Sequence, residues 1–345
     1  MRLAFIGVVF FGAAALAALG LLQSFGHFAP TVRDFAGKCA PVTGVIGPED
    51  IALDPGSGRV FLSSVDRRDE SARGGLHLIS LDDPLAETGW RDLTGGEPAL
   101  FRPLGLDYFE NDSVRRLFVV NEATSSVEAF DVGDDGALTH VESFAERRMT
   151  SPNNIVAVGP RSFYVTNDAR PGRGSLVGQF QFLTRAASGD VLHYDGTGWR
   201  VAASGLRFAN GIAANADGDR LYVAETSGGA VKIFDRNAQT GALDAVASIA
   251  LPAAPDNLTL DEDGAIWVAA LPKPLATPIV KANPSATAPS AIYRIVGEGP
   301  PEAVYRDDGS EISLATAAAR RGSKIVIGAL FENKFLICDL PRAPF

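Results

Sequence analysis

The chain has 345 residues, 46% hydrophobic and 21% charged, with 36 glycines and 21 prolines. This is the composition of a globular protein rich in turns and able to bury a large core. The net charge is −10 and no cluster of Lys and Arg supplies the basic face that phosphate binding needs, which argues against nucleic acid as a partner.

The first element in chain order is an apolar run. Residues 3–22 carry no charge, and after Arg2 the next formal charge is Arg33. Twenty residues rise about 30 Å as a helix, enough to cross the core of a bilayer. The run is longer than a usual signal-peptide core, and no small-x-small cleavage site follows it. Residues 1–30 are therefore expected to form a signal anchor that contacts the membrane, with a cleaved signal peptide as the alternative. In either case residues 31–345 are expected to be exported, membrane-anchored if the segment is kept and secreted or periplasmic if it is cleaved. Cys39 and Cys338 stand near the two ends of that exported part. In an oxidising compartment such a pair is expected as a disulfide, and a bond joining the ends suits a ring-shaped fold. The spacing excludes a zinc ribbon or a CxxC redox motif.

Between the cysteines one hairpin-like pattern recurs six times: a β-branched run, a polar or glycine turn, then a second run. The copies begin at Val60, Leu117, Phe163, Leu221, Ile266 and Ile325, at steps of 57, 46, 58, 45 and 59 residues. Steps of this size suit four strands per copy, and six copies suit an all-β, six-bladed β-propeller over 31–345, closed by its N- and C-terminal segments and preceded by the hydrophobic helix. A further apolar strand precedes most copies, as in EDIALDPGSG, NNIVAVGP, NGIAANADGD and DNLTLDEDG.

These preceding strands share a feature. A carboxylate or amide stands just ahead of the apolar run: Glu49-Asp50, Asn153-Asn154, Asn210 and Asp256-Asn257. A single such residue is an ordinary turn former. The innermost strands of a propeller converge on its axis, so four blades repeating the feature gather oxygen donors at one place. With no His or Cys among them, the set suits a hard cation such as Ca²⁺ in a central tunnel.

The segments GPEDIAL, NNIVAVGPRSFYVTND, FANGI, YVAE, PDNLTLD, IWVA and FLICDL resemble the paraoxonase/arylesterase family of calcium-dependent lactonases, from about Cys39 to Leu340. The same repeat occurs in regucalcin-like gluconolactonases and strictosidine-synthase-like proteins. The resemblance implies two calcium ions. Glu49, Asn153, Asn210, Asp256 and Asn257 would bind the catalytic ion. Asp50, Asn154 and the carbonyl of Leu106 would bind a second, structural one, so that each member of a doublet serves one ion. Asn154 stands where the family usually has Asp, which weakens the second site. The family's pocket histidines are replaced by Leu104, Glu122 and Leu271, while Phe208 matches a pocket-wall position.

The reading that follows is calcium-dependent hydrolysis of lactones and of aryl esters, in which the ion polarises the carbonyl and stabilises the oxyanion. Without the histidines, the candidates for the base are Glu122, Asp256 and Glu49, and Glu122 beside Leu104 is expected to sit in an apolar setting that raises its pKa. Residues 169–189 interrupt the third copy, either as a blade insertion packed on its own neighbour or as an amphipathic lid whose apolar members are Leu176, Val177, Phe180, Phe182 and Leu183; the lid would point to small lipophilic lactones or esters as substrates. The alternatives are a gluconolactonase-like enzyme for sugar lactones and a non-catalytic, calcium-stabilised propeller that binds a partner. His27, His77, His140 and His193 lie in no matching motif and are read as surface or strand residues.

Overall fold

Alternation of β-branched and aromatic residues with small or polar ones, broken every few positions by glycine and Asx turns, gives short antiparallel strands. In the computed structural model, in which residues 15–81 and 90–341 are described, these strands form six four-stranded sheets. The first holds β2 (Pro48–Asp54), β3 (Arg59–Ser64), β4 (Gly75–Ser80) and the short β5 (Arg91–Asp92). The second holds β6 (Pro103–Glu110), β7 (Arg115–Asn121), β8 (Ser126–Val132) and β9 (Leu138–Ala145). The third runs from β10 (Pro152–Gly159) and β11 (Ser162–Asn167) to β12 (Gly189–Tyr194) and β13 (Trp199–Leu206). The fourth is β14 (Ala209–Ala214), β15 (Arg220–Glu225), β16 (Ala230–Arg236) and β17 (Leu243–Ala250). The fifth is β18 (Ala254–Leu260), β19 (Ile266–Leu271), β20 (Ser290–Ile295) and β21 (Glu302–Asp307).

The sixth sheet closes the ring. It is built from β22 (Ala315–Arg321), β23 (Lys324–Ala329), β24 (Lys334–Asp339) and, on its outer edge, β1 (Lys38–Thr43) from the other end of the chain. Cys39 and Cys338 are register partners across β1 and β24 and are disulfide-bonded. The expected six-bladed propeller is thus the fold, and each hairpin copy read from the sequence is the second and third strand of a blade.

The strands β2, β6, β10, β14, β18 and β22 pack side by side around the axis, β22 returning against β2. Between blades lie the apolar cores: Leu104, Phe118, Ile155 and Phe163 fill one, and Trp267, Ile292, Ile325 and Leu336 another. Residues 15–24 are helical (α1), and the expected anchor over 1–30 falls partly on residues 1–14, which lie outside those described. Among the described residues no helix is long and apolar enough to cross a membrane.

Candidate active site

In a regular strand, neighbouring side chains point to opposite faces, so a doublet could not serve one axis. Each inner strand escapes this with a bulge at the same place. The register jumps from Pro152↔Asn167 to Ile155↔Val165, leaving Asn153 and Asn154 in the gap. Asp256 and Asn257 fall in the same gap on β18, Asn210 on β14, Glu49 on β2, Leu104 on β6 and Thr316 on β22. A bulge inserts an unpaired residue and re-aims its side chain, and here polar residues stand at the bulge on five of the six inner strands, while Leu104 on β6 packs into an inter-blade core. The crowding leaves no room for side chains at the blade contacts. A Cβ on Gly105 would meet Asn154 Cα at 2.4 Å, and one on Gly211 would meet Asp256 O at 2.7 Å.

Glu49, Asn153, Asn210, Asp256 and Asn257, all at the starts of inner strands, are buried. Asn153 Nδ2 donates to Asp168 Oδ2 at 3.3 Å, and Asn210 Nδ2 donates to Thr226 Oγ1 at 3.0 Å. Both amides are thereby held by their nitrogens, with their oxygens free to the tunnel. Asn153 Oδ1, Asn210 Oδ1 and Glu49 Oε2 are buried atoms without a hydrogen-bond partner. Buried polar atoms are nearly always partnered, so three orphaned oxygens in one ring need an explanation. Asn257 is held differently. Its Nδ2 donates to Glu49 O at 3.2 Å and Oε1 at 3.1 Å, while its Oδ1 accepts from Asn154 Nδ2 at 2.7 Å.

The residues expected at the second ion, Asp50, Asn154 and Leu106, also meet, but through hydrogen bonds. Asp50 Oδ2 accepts from Leu106 N at 2.9 Å and from Asn154 Nδ2 at 3.1 Å. Asn154 Oδ1 accepts from Ile155 N at 2.6 Å, so the amide nitrogen faces the tunnel.

Burial raises the pKa of Glu49, which Arg67 opposes; burial and then Glu49 raise those of Asp50 and Asp256 well above the carboxylate range. Removing several carboxylates from water and placing them together disfavours their charged forms, and a bound cation would reverse that. The donor set fits such an ion. Among the described residues no group of three or more His, Cys, Asp or Glu is placed to hold a metal ion by itself. The ring is instead rich in amides, with orphaned oxygens of the kind Ca²⁺ accepts.

Above the ring the expected wall is partly in place. Phe208, held at φ 62°, meets Phe182 edge-on at 5.0 Å. Phe182 belongs to the lid helix α2 (Leu176–Thr184), capped by Ser175 Oγ, and stacks on Phe25 at 5.5 Å. The other apolar lid residues, Leu176, Val177, Phe180 and Leu183, face outward and are exposed. Leu104 packs into an inter-blade core with Val120 and Ile155. Leu271 packs with Leu314, Phe331 and Val280 of the short helix α3 (Thr277–Ala282). Glu122 does not sit in an apolar mouth: its side chain is 35% exposed and stands 4.0 Å from Arg102 Nε.

Three charged residues of the mouth were not singled out from the sequence. Arg67 lies on the loop after β3, with Nη2 4.0 Å from Glu49 Oε2. Asp168 follows β11, fully buried, its pKa raised by burial against the pull of Arg173. Arg173 begins the lid and ties it down, with Nε 3.1 Å from Asp168 Oδ2 and from Ser151 Oγ. Asp168 could have been found, since it extends the quoted motif YVTND. The two arginines lie in loops with no periodicity to read. Of the four histidines, His77 and His193 are buried in outer blade strands and His140 bonds Glu128, all apart from the ring.

A six-bladed propeller with oxygen-bearing residues at the starts of its inner strands defines a class of ring-shaped proteins. The chain belongs to the arylesterase family, which it matches over residues 54–340. It is 31% identical over 322 residues to human serum paraoxonase/arylesterase 1, covering 88% of this chain and 89% of that protein. It is 30% identical to human serum paraoxonase/lactonase 3, covering 85% and 86%. Among solved structures, a gluconolactonase from Xanthomonas campestris superposes with a TM-score of 0.59 at 16% identity, covering 90% of this chain and 95% of that one, a likeness of fold.

Proposed function

We propose that this protein is a carboxylic ester hydrolase that opens lactones and, less efficiently, cleaves aryl esters, using one calcium ion at the lidded end of the tunnel. The observation that carries this reading is the ring of orphaned oxygens on Glu49, Asn153 and Asn210. Family membership and the printed activities of the relatives support the substrate class. Glu49, Asn153, Asn210 and Asp256 would hold the ion, while Asn257, its Oδ1 taken by Asn154 Nδ2, braces Glu49 with its own Nδ2. When bound, the ion supplies a Lewis acid that polarises the carbonyl and stabilises the oxyanion.

The chain's own residues do the rest. Asp168 and Thr226 fix the two amides so that their oxygens stay presented. Phe208 and Phe182 cover the apolar part of a small lipophilic substrate and exclude water from the ring. Glu122, reached by solvent while Glu49 and Asp256 are buried, accepts the proton of the attacking water. Asn154 Nδ2, donating to Asp50 and Asn257, takes the place of a second ion. The disulfide fits an oxidising compartment, and residues 1–30 would serve as an uncleaved membrane anchor or, alternatively, as a cleaved signal peptide.

Melting curves and lactone assays test this directly. A calcium chelator is expected to lower the melting temperature by about 3–8 °C, reversed by added calcium. Asn210→Ala and Glu49→Gln are expected to reduce lactone turnover by about a hundredfold or more. Unchanged melting under chelation, or full turnover in both variants, refutes the proposal.

A further inference from the structure

The tunnel mouth contains a buried cation whose charge is incompletely answered. Arg67 is 8% exposed. Its Nη2 donates to Pro103 O at 3.0 Å and stands 4.0 Å from Glu49 Oε2, while its Nη1 is buried without a hydrogen-bond partner. The neighbouring charges are committed elsewhere: Asp168 to Arg173 at 3.1 Å and Glu122 to Arg102 at 4.0 Å. Glu49 Oε2 is the only carboxylate oxygen within 4.0 Å of Arg67 among the described residues, and it is also one of the three orphaned oxygens assigned to the ion. One oxygen cannot satisfy both a divalent cation and a guanidinium fork of five donors. With the ion in place, Arg67 is a desolvated cation with a free donor. It feels the charge of Glu122 but, among the described residues, has no carboxylate other than Glu49 within 4.0 Å, an arrangement that favours an incoming anion.

We propose that Arg67 receives a carboxylate of the substrate, so that the site is built for lactones carrying a free carboxylate close to the ring. This rests on the lactone-hydrolase reading and names the substrate class within it. Guanidinium and carboxylate match as planar forks, and a bond between two charged groups is worth far more in a buried mouth than in water. Arg173, whose charge is felt by Glu49 and Glu122 as that of Arg67 is, strengthens the positive field on the same side. The apolar wall of Phe208 and Phe182 then faces the uncharged remainder of the substrate.

The test compares γ-butyrolactone-γ-carboxylate with its carboxamide on the full chain with calcium. The wild type is expected to prefer the carboxylate in kcat/KM by about ten- to a hundredfold. Arg67→Met is expected to abolish that preference by raising KM for the carboxylate alone, and Arg67→Lys, which keeps the charge and folds even if the apolar variant does not, to retain part of it. Glutarate, which is not a lactone, supplies a readout independent of turnover. It should raise the melting temperature of the wild type and of Arg67→Lys more than that of Arg67→Met. Equal kcat/KM for the two lactones together with equal glutarate shifts in all three proteins overturns the assignment. If neither lactone is turned over but the glutarate shift depends on Arg67, the hydrolase reading fails and the carboxylate subsite stands.

Discussion

Asn154 shows how one amide can do the work expected of an ion. Its Nδ2 lies between Asp50 Oδ2 and Asn257 Oδ1, and its Oδ1 is engaged by Ile155 N, so every polar atom of the side chain is used. A carboxylate in its place would lose both donated bonds and add charge to a buried group where Asp50 already resists ionisation. Asn154→Asp is therefore expected to melt lower than wild type in chelator, by a difference on the order of 2–4 kcal/mol. It should also gain a larger calcium-induced rise, because a second cation can then settle between two carboxylates. Calcium titrations followed by calorimetry would read the stoichiometry. A variant that binds the same number of ions as wild type and melts at the same temperature would contradict this role for the amide. The residue types of the ring were legible in the sequence because four blades repeat them, but which atom of each amide faces the tunnel is fixed by neighbours such as Asp168 and Thr226, fifteen or sixteen positions away.

The blade strands divide the chemistry by position. Inner strands carry the ring, and the strands outside them carry ordinary packing, including β12 with its buried His193. That imidazole stacks on Tyr164 at 4.2 Å and its Nε2 lies 3.2 Å from Ser162 Oγ. Burial, helped by Arg200 and Arg236, pushes its pKa down to about 4. In the unfolded chain a histidine titrates near 6.5. Between these values the unfolded chain binds a proton that the folded one refuses, so the stabilising effect of the neutral ring is present above about pH 6.5 and lost as pH falls toward 4. His193→Gln is expected to reduce the fall in melting temperature between pH 7 and pH 5 relative to wild type. Parallel curves for the two proteins would show that this histidine does not contribute to the acid sensitivity. The hairpins were readable because every copy keeps a short apolar run, a turn and a second run. The bulges were not, since nothing in the composition of NNIVAVG or PDNLTLD marks a skipped pairing; the doublets were its only trace. Arg67 and Arg173 lay beyond reach for a different reason, as their roles come from loops that only the closed ring brings to the mouth.

At the scale of the whole molecule, stability rests on closing a circle from a linear chain. The closure is β1, thirty-odd residues into the chain, completing the blade begun by β22, β23 and β24. Six register pairs run from Lys38↔Asp339 to Thr43↔Lys334, and the disulfide joins the second of them. The bond spans 299 positions, so on the chain-entropy account it restricts the unfolded ensemble by up to roughly 5–6 kcal/mol. Val42 and Phe335 bury their side chains in the apolar cluster shared by the first and last blades, a contact that does not depend on the bond. Cys39→Ala/Cys338→Ala is therefore expected to fold and to melt lower than wild type, with the loss staying below that ceiling. The weakness should be local. Hydrogen exchange in β1 and β24 is expected to quicken well before that in β10 or β14, since detaching β1 costs only one edge of one sheet while opening an interior blade breaks two inter-blade cores. Uniform acceleration across all six blades would mean instead that the ring opens as a single cooperative unit and that the disulfide stabilises every blade equally.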